Sequence, residues 1–354
     1  MMPNENPLPQ RLQDVPPACA RLCLNVRRFL EERCGGRPGR IVAAFSGGAD
    51  STALALILRC LGFSVTLAHL DHGLRPESGE EAGAARDFAR RLGVPCVVRR
   101  VDVATLARSE GLGLEDAGRR ARYAFFEETR VAAGAGWIAT GHHLDDLAED
   151  MLLRLIRGTG WPALGGMKAD DPARHLVRPL LATPRADVEA FLRALGVPWV
   201  EDASNRSDAF RRNRLRNHVL PLLRAENPSF GRSVRTLWEL AREDERYWDG
   251  VLAPVFARLE ARDGTLFLPR AAFVSLPRAA RLRVYAGLFA RLGRGQAQAQ
   301  TLFRLDEAAT ASRSRRLFQF PGGVGVVSDG EGLWIGEEPE EEGRSHRPAQ
   351  PQKI

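Results

Sequence analysis

Ala43-Ala44-Phe45-Ser46-Gly47-Gly48-Ala49-Asp50-Ser51-Thr52-Ala53-Leu54-Ala55-Leu56 joins a short apolar run to a helical one through a turn of small and polar residues. Ile41–Phe45 has the length and unbroken hydrophobicity of a strand buried on both faces, whereas Thr52–Leu61 has helical apolar spacing. Gly47 and Gly48 let the backbone fold tightly against a ligand. The amides of Asp50, Ser51 and Thr52 can face an anion together with the helix dipole, and Ser46 and Ser51 add hydroxyl donors. The turn lacks the Gly-Lys-Ser/Thr of the common P-loop and the glycine spacing of the dinucleotide fingerprint. An ordinary serine- and glycine-rich strand-to-helix turn has the same composition, so the loop by itself leaves both readings open.

Working outward, further apolar runs at Val65–Leu70, Cys96–Val101 and Trp137–Thr140 alternate with helical periods at Ser78–Leu92, Asp116–Ala133 and Leu144–Ile156. Strands alternating with helices predict an α/β fold, a doubly wound parallel sheet covered on both faces. Ligands of such sheets bind beyond the carboxyl ends of the strands. The expected organisation is an N-terminal extension and helix (1–37), a domain built around the loop and its parallel sheet (38–223), a helical linker (224–259), a small α+β C-terminal domain (260–337) and a charged, proline-bearing, disordered tail (338–354).

Bulk composition excludes several classes. With 44% hydrophobic and 27% charged residues over 354 positions, the chain is an ordinary globular protein. No apolar run approaches the roughly 20 residues of a membrane span, and no signal segment opens the sequence, so a cytoplasmic location is expected. Cys19, Cys23, Cys34, Cys60 and Cys96 are scattered and never in a Cys-x-x-Cys pair, which argues against a disulfide framework and a zinc or iron–sulfur site. The net charge of +7 suits a polyanionic partner; all but two of the 51 basic residues are arginine, which a codon bias explains as well as phosphate binding does.

The segments following the apolar runs carry the chemistry. After the second run, His69-Leu70-Asp71-His72-Gly73-Leu74-Arg75 sets Asp71 and His72 to position a nucleophile or a metal, and Arg75 to meet a phosphate; an ordinary turn reads the same way. After the fourth, His142, His143, Asp145, Asp146 and Glu149 cluster at a helix start, with Asp145 and Glu149 on one face. Carboxylates there can hold Mg2+ beside phosphates, or simply complement the dipole. Arg119, Arg120 and Arg122 flank the aromatic run Tyr123, Phe125 and Phe126, and one of them can neutralise phosphate charge where the loop lacks a lysine.

SGGADS, DHGLRPES, RRARY, GHHLDDLAED, RGTGWPALGGM, RPLL and EDASNRSDAFRRNRLR occur in this order between Arg40 and Leu223. In this the chain resembles the bacterial tRNA(Ile)-lysidine synthases. SGGxDS alone marks the wider PP-loop ATP pyrophosphatases, and DHGLRPES with RPLL and EDxSN…RN…R is the specific part. The resemblance implies a ligase that uses ATP and Mg2+. The wobble cytidine of a CAU-anticodon tRNA(Ile) would be adenylated, and free L-lysine would then displace AMP.

It further implies that Ser46, Gly47, Gly48, Ala49, Asp50 and Ser51 bind ATP together with Arg75, and that Asp145 and Asp146 serve Mg2+ and lysine. Arg122 would meet the α-phosphate and His72 would move or orient a proton. Arg212, Arg214 and Arg216 would close over the site or hold RNA. A homodimer is compatible with this reading. Where the family carries glutamine and Glu-Thr after the paired aspartates, this chain has Leu147 and Glu149-Asp150. The alternative is a PP-loop tRNA thiolase, which would activate the base identically and deliver sulfur.

Overall fold

The computed structural model describes residues 8–73, 78–200, 208, 211–262 and 265–337. Arg75, the polar segment holding Asp202, Asn205 and Arg206, and the 338–354 tail lie outside the described residues. The chain divides into two compact units, 1–243 and 244–354, with the division inside a helix that spans Phe230–Phe256.

The first unit is built on strands β1 (Arg40–Ala44), β2 (Ser64–Asp71), β3 (Cys96–Arg100), β4 (Trp137–Ala139), β5 (Asp170–Asp171) and β6 (Leu176–Val177), ordered β3-β2-β1-β4-β6-β5. All neighbouring pairs are parallel except β5 with β6. Period-2 alternation assigns β1 to two cores. Ile41 and Ala43 join one cluster with Leu54 and Phe191, and Val42 joins another with Phe125 and Ile138. Both faces are therefore covered, as the continuous apolar runs predict.

Strand order reverses at β1, whose neighbours are β2 on one side and β4 on the other. The segments leaving β1 and β4 consequently open onto one crevice at the carboxyl edge. Helix α2 (Ala49–Cys60) starts three residues before the expected Thr52, which puts Asp50 in its first turn. The sequence reading did not find β5, β6 or the helix Val103–Glu110, because elements this short carry no clear period.

The second unit holds a five-stranded antiparallel sheet with helices Arg278–Leu292 and Ala299–Ala311. Its core gathers Leu268, Phe273, Tyr285, Leu305 and Ile335. The buried Asp306 is satisfied by Arg281, which donates from Nε at 2.7 Å, and by the Tyr285 hydroxyl at 3.0 Å. No helix among the described residues is long and apolar enough to cross a membrane.

Candidate active site

Loop Ser46–Gly48 is held by its own serines. The Ser51 hydroxyl donates to the Gly48 carbonyl at 3.1 Å and accepts from the Ser46 amide at 3.1 Å, so it staples the loop and is only 8% exposed. Gly47 adopts φ +81°, a conformation that costs other L-residues about 1–2 kcal/mol. Gly47 also receives the Val200 amide on its carbonyl at 3.0 Å, which closes the back of the loop. His69 on β2 supports the strand end through Nδ1, 3.0 Å from the Phe45 carbonyl. Gly141 lies against the start of α2; a Cβ there would come within 2.9 Å of the Asp50 carbonyl carbon, so only glycine lets the β4 segment approach this closely. Thr52 gives its amide to the Gly48 carbonyl at 3.0 Å, so of the expected donors the earlier amides of the first turn of α2 are left to form an anion-binding nest.

The β4 segment ends in the helix Leu144–Ile156, which we call α6. His143 is its N-cap: Nδ1 accepts from the amides of Asp145 and Asp146 at 3.2 and 3.4 Å, and Asp146 returns the bond to the His143 amide at 3.0 Å. With Nδ1 an acceptor, the ring proton sits on Nε2, 3.4 Å from Asp146 Oδ2 and 3.5 Å from Asp50 Oδ2. Burial opposes charge on His143, but Asp146 and Asp50 outweigh it and raise its pKa. A proton added at Nδ1 would displace the cap, so the backbone favours the neutral Nε2–H form against the pull of the carboxylates.

Asp146 and Glu149, three residues apart, share two guanidinium groups from the segment Arg211–Glu226. Arg212 donates Nε to Glu149 Oε2 at 2.6 Å and Nη2 to Asp146 Oδ1 at 2.9 Å. Arg216 donates Nε to Glu149 Oε1 at 2.6 Å and Nη2 to Asp146 Oδ1 at 3.2 Å. Burial alone would raise the Asp146 carboxyl; His143 and Arg212 overcome this and hold it at about 2. A π turn at Leu215–Val219 interrupts the arginine-bearing helix directly after Arg214.

Of the two expectations for Arg212, Arg214 and Arg216, closing over the site or holding RNA, Arg212 and Arg216 turn inward onto carboxylates, while Arg214 stays exposed and donates to the Asp208 carbonyl at 2.7 Å. Asp145 and Glu149 take different partners: Glu149 shares its arginines with Asp146, and Asp145 meets Arg224 at 2.8 Å. Leu147 is fully buried in the apolar cluster with Leu144 and Val234, and Asp150 accepts from Arg154 at 2.8 Å, so neither departure from the family pattern enters the crevice.

At the end of β2, Arg122 donates from Nη2 to His72 Nε2 at 3.2 Å. Burial, then the Arg122 charge, pushes the His72 pKa down to about 4. A neutral ring that accepts from Arg122 is suited to orienting the guanidinium rather than to holding a proton near neutral pH. His142, bonded to Thr140 Oγ1 at 2.8 Å, is likewise pushed down by burial to about 4.

Sequence reasoning missed Arg185, the first residue of the helix Arg185–Ala194. Burial opposes its charge, but Glu189 at 2.9 Å and the nearby Asp50 and Asp145 outweigh it and raise its pKa. A cation at a helix N-terminus runs against the dipole, and that local violation was the available signal.

These shifts set the acid response. His72 and His142 are neutral in the fold with pKa values near 4 against an ordinary 6.5. Their contribution to stability is complete above about pH 6.5 and is lost as pH falls toward 4, because the unfolded chain takes up those protons first. Asp146 adds a second loss between its ordinary 3.8 and about 2. His143, raised by Asp146 and Asp50, acts in the opposite sense, but the two lowered histidines outnumber it; thermal midpoints recorded from pH 8 to 4 should fall below pH 6.5, and a flat curve between pH 7 and 5 would contradict these assignments.

An anion nest at the switch point of a parallel sheet, with a carboxylate in its first turn and arginines around it, defines an ATP-using enzyme of the PP-loop class. Residues 22–223 match a family model described as PP-loop domain. The chain is 44% identical to a tRNA(Ile)-lysidine synthase of Nitratidesulfovibrio vulgaris, covering 90% of this chain and 99% of that relative. It is 40% identical to one from Thermus thermophilus, over 80% of this chain and 54% of that protein, so it spans about half the length of that longer relative. The chain belongs to the tRNA(Ile)-lysidine synthase family. Among solved structures, the U34-tRNA thiolase NcsA of Methanococcus maripaludis, which carries a 4Fe-4S cluster, aligns with TM-score 0.51 at 18% identity over 63% of this chain and 78% of its own; that likeness speaks for the fold alone.

Proposed function

We propose that this chain ligates free L-lysine to carbon 2 of the wobble cytidine of CAU-anticodon tRNA(Ile), through an adenylated cytidine, with release of pyrophosphate and then AMP. The observation that carries the reading is Asp50 Oδ1, a buried carboxylate oxygen with no hydrogen-bond partner in the first turn of the helix that follows the glycine loop. Asp145 and Asp146, which the resemblance offers to Mg2+ and lysine, have Oδ2 paired with Arg224 and Oδ1 paired with Arg212 and Arg216, respectively. The oxygen that fits a hard cation is that of Asp50. Mg2+ bound there would offset the charge of the ATP phosphates.

The remaining roles belong to the chain's own groups. The α2 amides and the Ser46 hydroxyl would hold pyrophosphate as it leaves. Arg122, oriented by His72, would meet the α-phosphate as cytidine O2 attacks it. The lysine amine then attacks carbon 2 and AMP departs; Asp145, whose partner Arg224 bears the opposite charge, suits a zwitterionic amino acid. Arg214 and the exposed arginines would meet RNA. A cytosolic site of action follows from the substrate.

The thiolase alternative fits less well. Cys60 ends α2 and Cys96 begins β3, at the edge of the sheet opposite the nest, and burial pushes the Cys60 thiol up to about 12. Thiols of this kind are poor sulfur carriers.

The deciding assay combines the protein with ATP, Mg2+, radiolabelled lysine and a CAU-anticodon tRNA(Ile) transcript, with elongator methionine tRNA as control. Label should enter only the isoleucine transcript. Absence of tRNA-dependent incorporation would sink the assignment.

A further inference from the structure

His143 carries two sets of contacts at once. Its Nδ1 accepts backbone amides of α6 at 3.2 and 3.4 Å, and its Nε2 lies 3.5 Å from Asp50 of the loop and 3.4 Å from Asp146. The ring is 2% exposed, so solvent does not substitute for either partner. The cap determines the tautomer, and the tautomer determines that the other nitrogen presents a proton. Nε2 lies within 3.5 Å of Asp50 Oδ2, the oxygen opposite the partnerless Oδ1. A charge contact to one oxygen of a carboxylate biases its rotation, and so favours one direction for the other oxygen. The segment preceding His143 is itself seated on the loop, since Gly141 abuts the Asp50 backbone.

We propose that His143 is a positioning residue: capped by α6 through Nδ1, it ties Asp50 to Asp146 through Nε2–H and thereby aims the free oxygen of Asp50 at the Mg2+ of the bound nucleotide. The inference rests on the ATP-activating reading above and adds to it the residue that sets the metal-facing group. It also links the two halves of the crevice, because the carboxylate paired with Arg212 and Arg216 and the carboxylate of the loop share one imidazole.

Two substitutions separate this role from simple helix capping. In His143→Asn the amide oxygen takes the place of Nδ1 and preserves the cap, since asparagine is a favoured N-cap, but nothing reaches Asp50. In His143→Gln the amide nitrogen takes the place of Nε2 and the cap is weakened. For His143→Asn we expect a thermal midpoint within about 3 °C of the parent. Pyrophosphate release should need about tenfold more Mg2+ for half-saturation, with kcat reduced about 10–100-fold and the KM for lysine unchanged.

His143→Gln should recover most of the Mg2+ dependence while melting earlier. Normal Mg2+ dependence in the asparagine variant with the defect confined to the glutamine variant would reduce His143 to a cap and overturn the proposal. If neither variant folds, 15N-histidine NMR of the parent protein decides: the Nε2 resonance of His143 should shift when a non-hydrolysable ATP analogue is added with Mg2+ and not with the analogue alone. An unresponsive Nε2 would also overturn it. Failure of the lysine-incorporation assay by the parent protein would instead count against the functional reading.

Discussion

Asp50→Asn should lower ATP-dependent pyrophosphate release by about 10²–10³-fold while the fold loses no stability. Asp50 Oδ1 is buried without a partner, and its Oδ2 has only a 3.5 Å contact to His143. An unsatisfied buried acceptor costs about 1–3 kcal/mol, which the protein carries in a state awaiting a ligand. An amide is less costly to leave there than a carboxylate, so the variant should melt at the parent temperature or above it, as expected where stability has been sacrificed for activity. Affinity for tRNA should change by less than about twofold, because nothing in the argument gives Asp50 a phosphate of the RNA to hold. The comparison is made by pyrophosphate release, calorimetry and filter binding on the same preparation. A joint loss of activity, tRNA binding and melting temperature would show that Asp50 supports the fold rather than the chemistry.

Glu149→Ala should have the opposite signature, a large loss of stability together with activity. Glu149 is 0% exposed and receives both Nε groups of Arg212 and Arg216 at 2.6 Å. Removing it takes away the acceptor of both Nε groups and leaves the two guanidinium groups sharing Asp146 Oδ1. Breaking a buried pair costs about 3–5 kcal/mol, and the partial exposure of the arginine side chains, 34% and 24%, places the expectation at the lower end. Activity should fall as well, because Asp146 depends on the same arginines and also completes the cap at His143. Urea denaturation of Glu149→Ala, Arg212→Met and the double variant closes a cycle whose coupling should exceed about 1.5 kcal/mol. A coupling of a few tenths would class the cluster with exposed ion pairs and remove it as the element joining α6 to the arginine helix.

These two carboxylates show how far the sequence could be read. The strands of the first unit were legible because burial on both faces writes an unbroken apolar run, as in Ile41–Ala44. Asp50 was legible as a ligand-facing group, since a serine- and glycine-rich turn between a strand and a helix exposes few side chains. Glu149 was visible only as one of several acids at a helix start. Its partners lie 63 and 67 residues further along, and local periodicity carries no information about contacts at that separation. The inward turn of Arg212 and Arg216 was hidden for the same reason. His143 was visible only as one of the polar residues clustered at that helix start, and its capping depends on which ring nitrogen the helix backbone occupies.

By itself the sequence determined the alternation of the first four strands with their helices, the tight glycine turn, the family and the edge of the sheet where a ligand is expected. All of these follow from side-chain size, backbone freedom and hydrophobic period, which neighbouring residues express. Only the tertiary structure decided which acids are already neutralised. Whether a carboxylate is spent on an arginine or left open to a cation is set by groups brought from distant segments into a poorly solvated crevice, where each charge is felt strongly by the next.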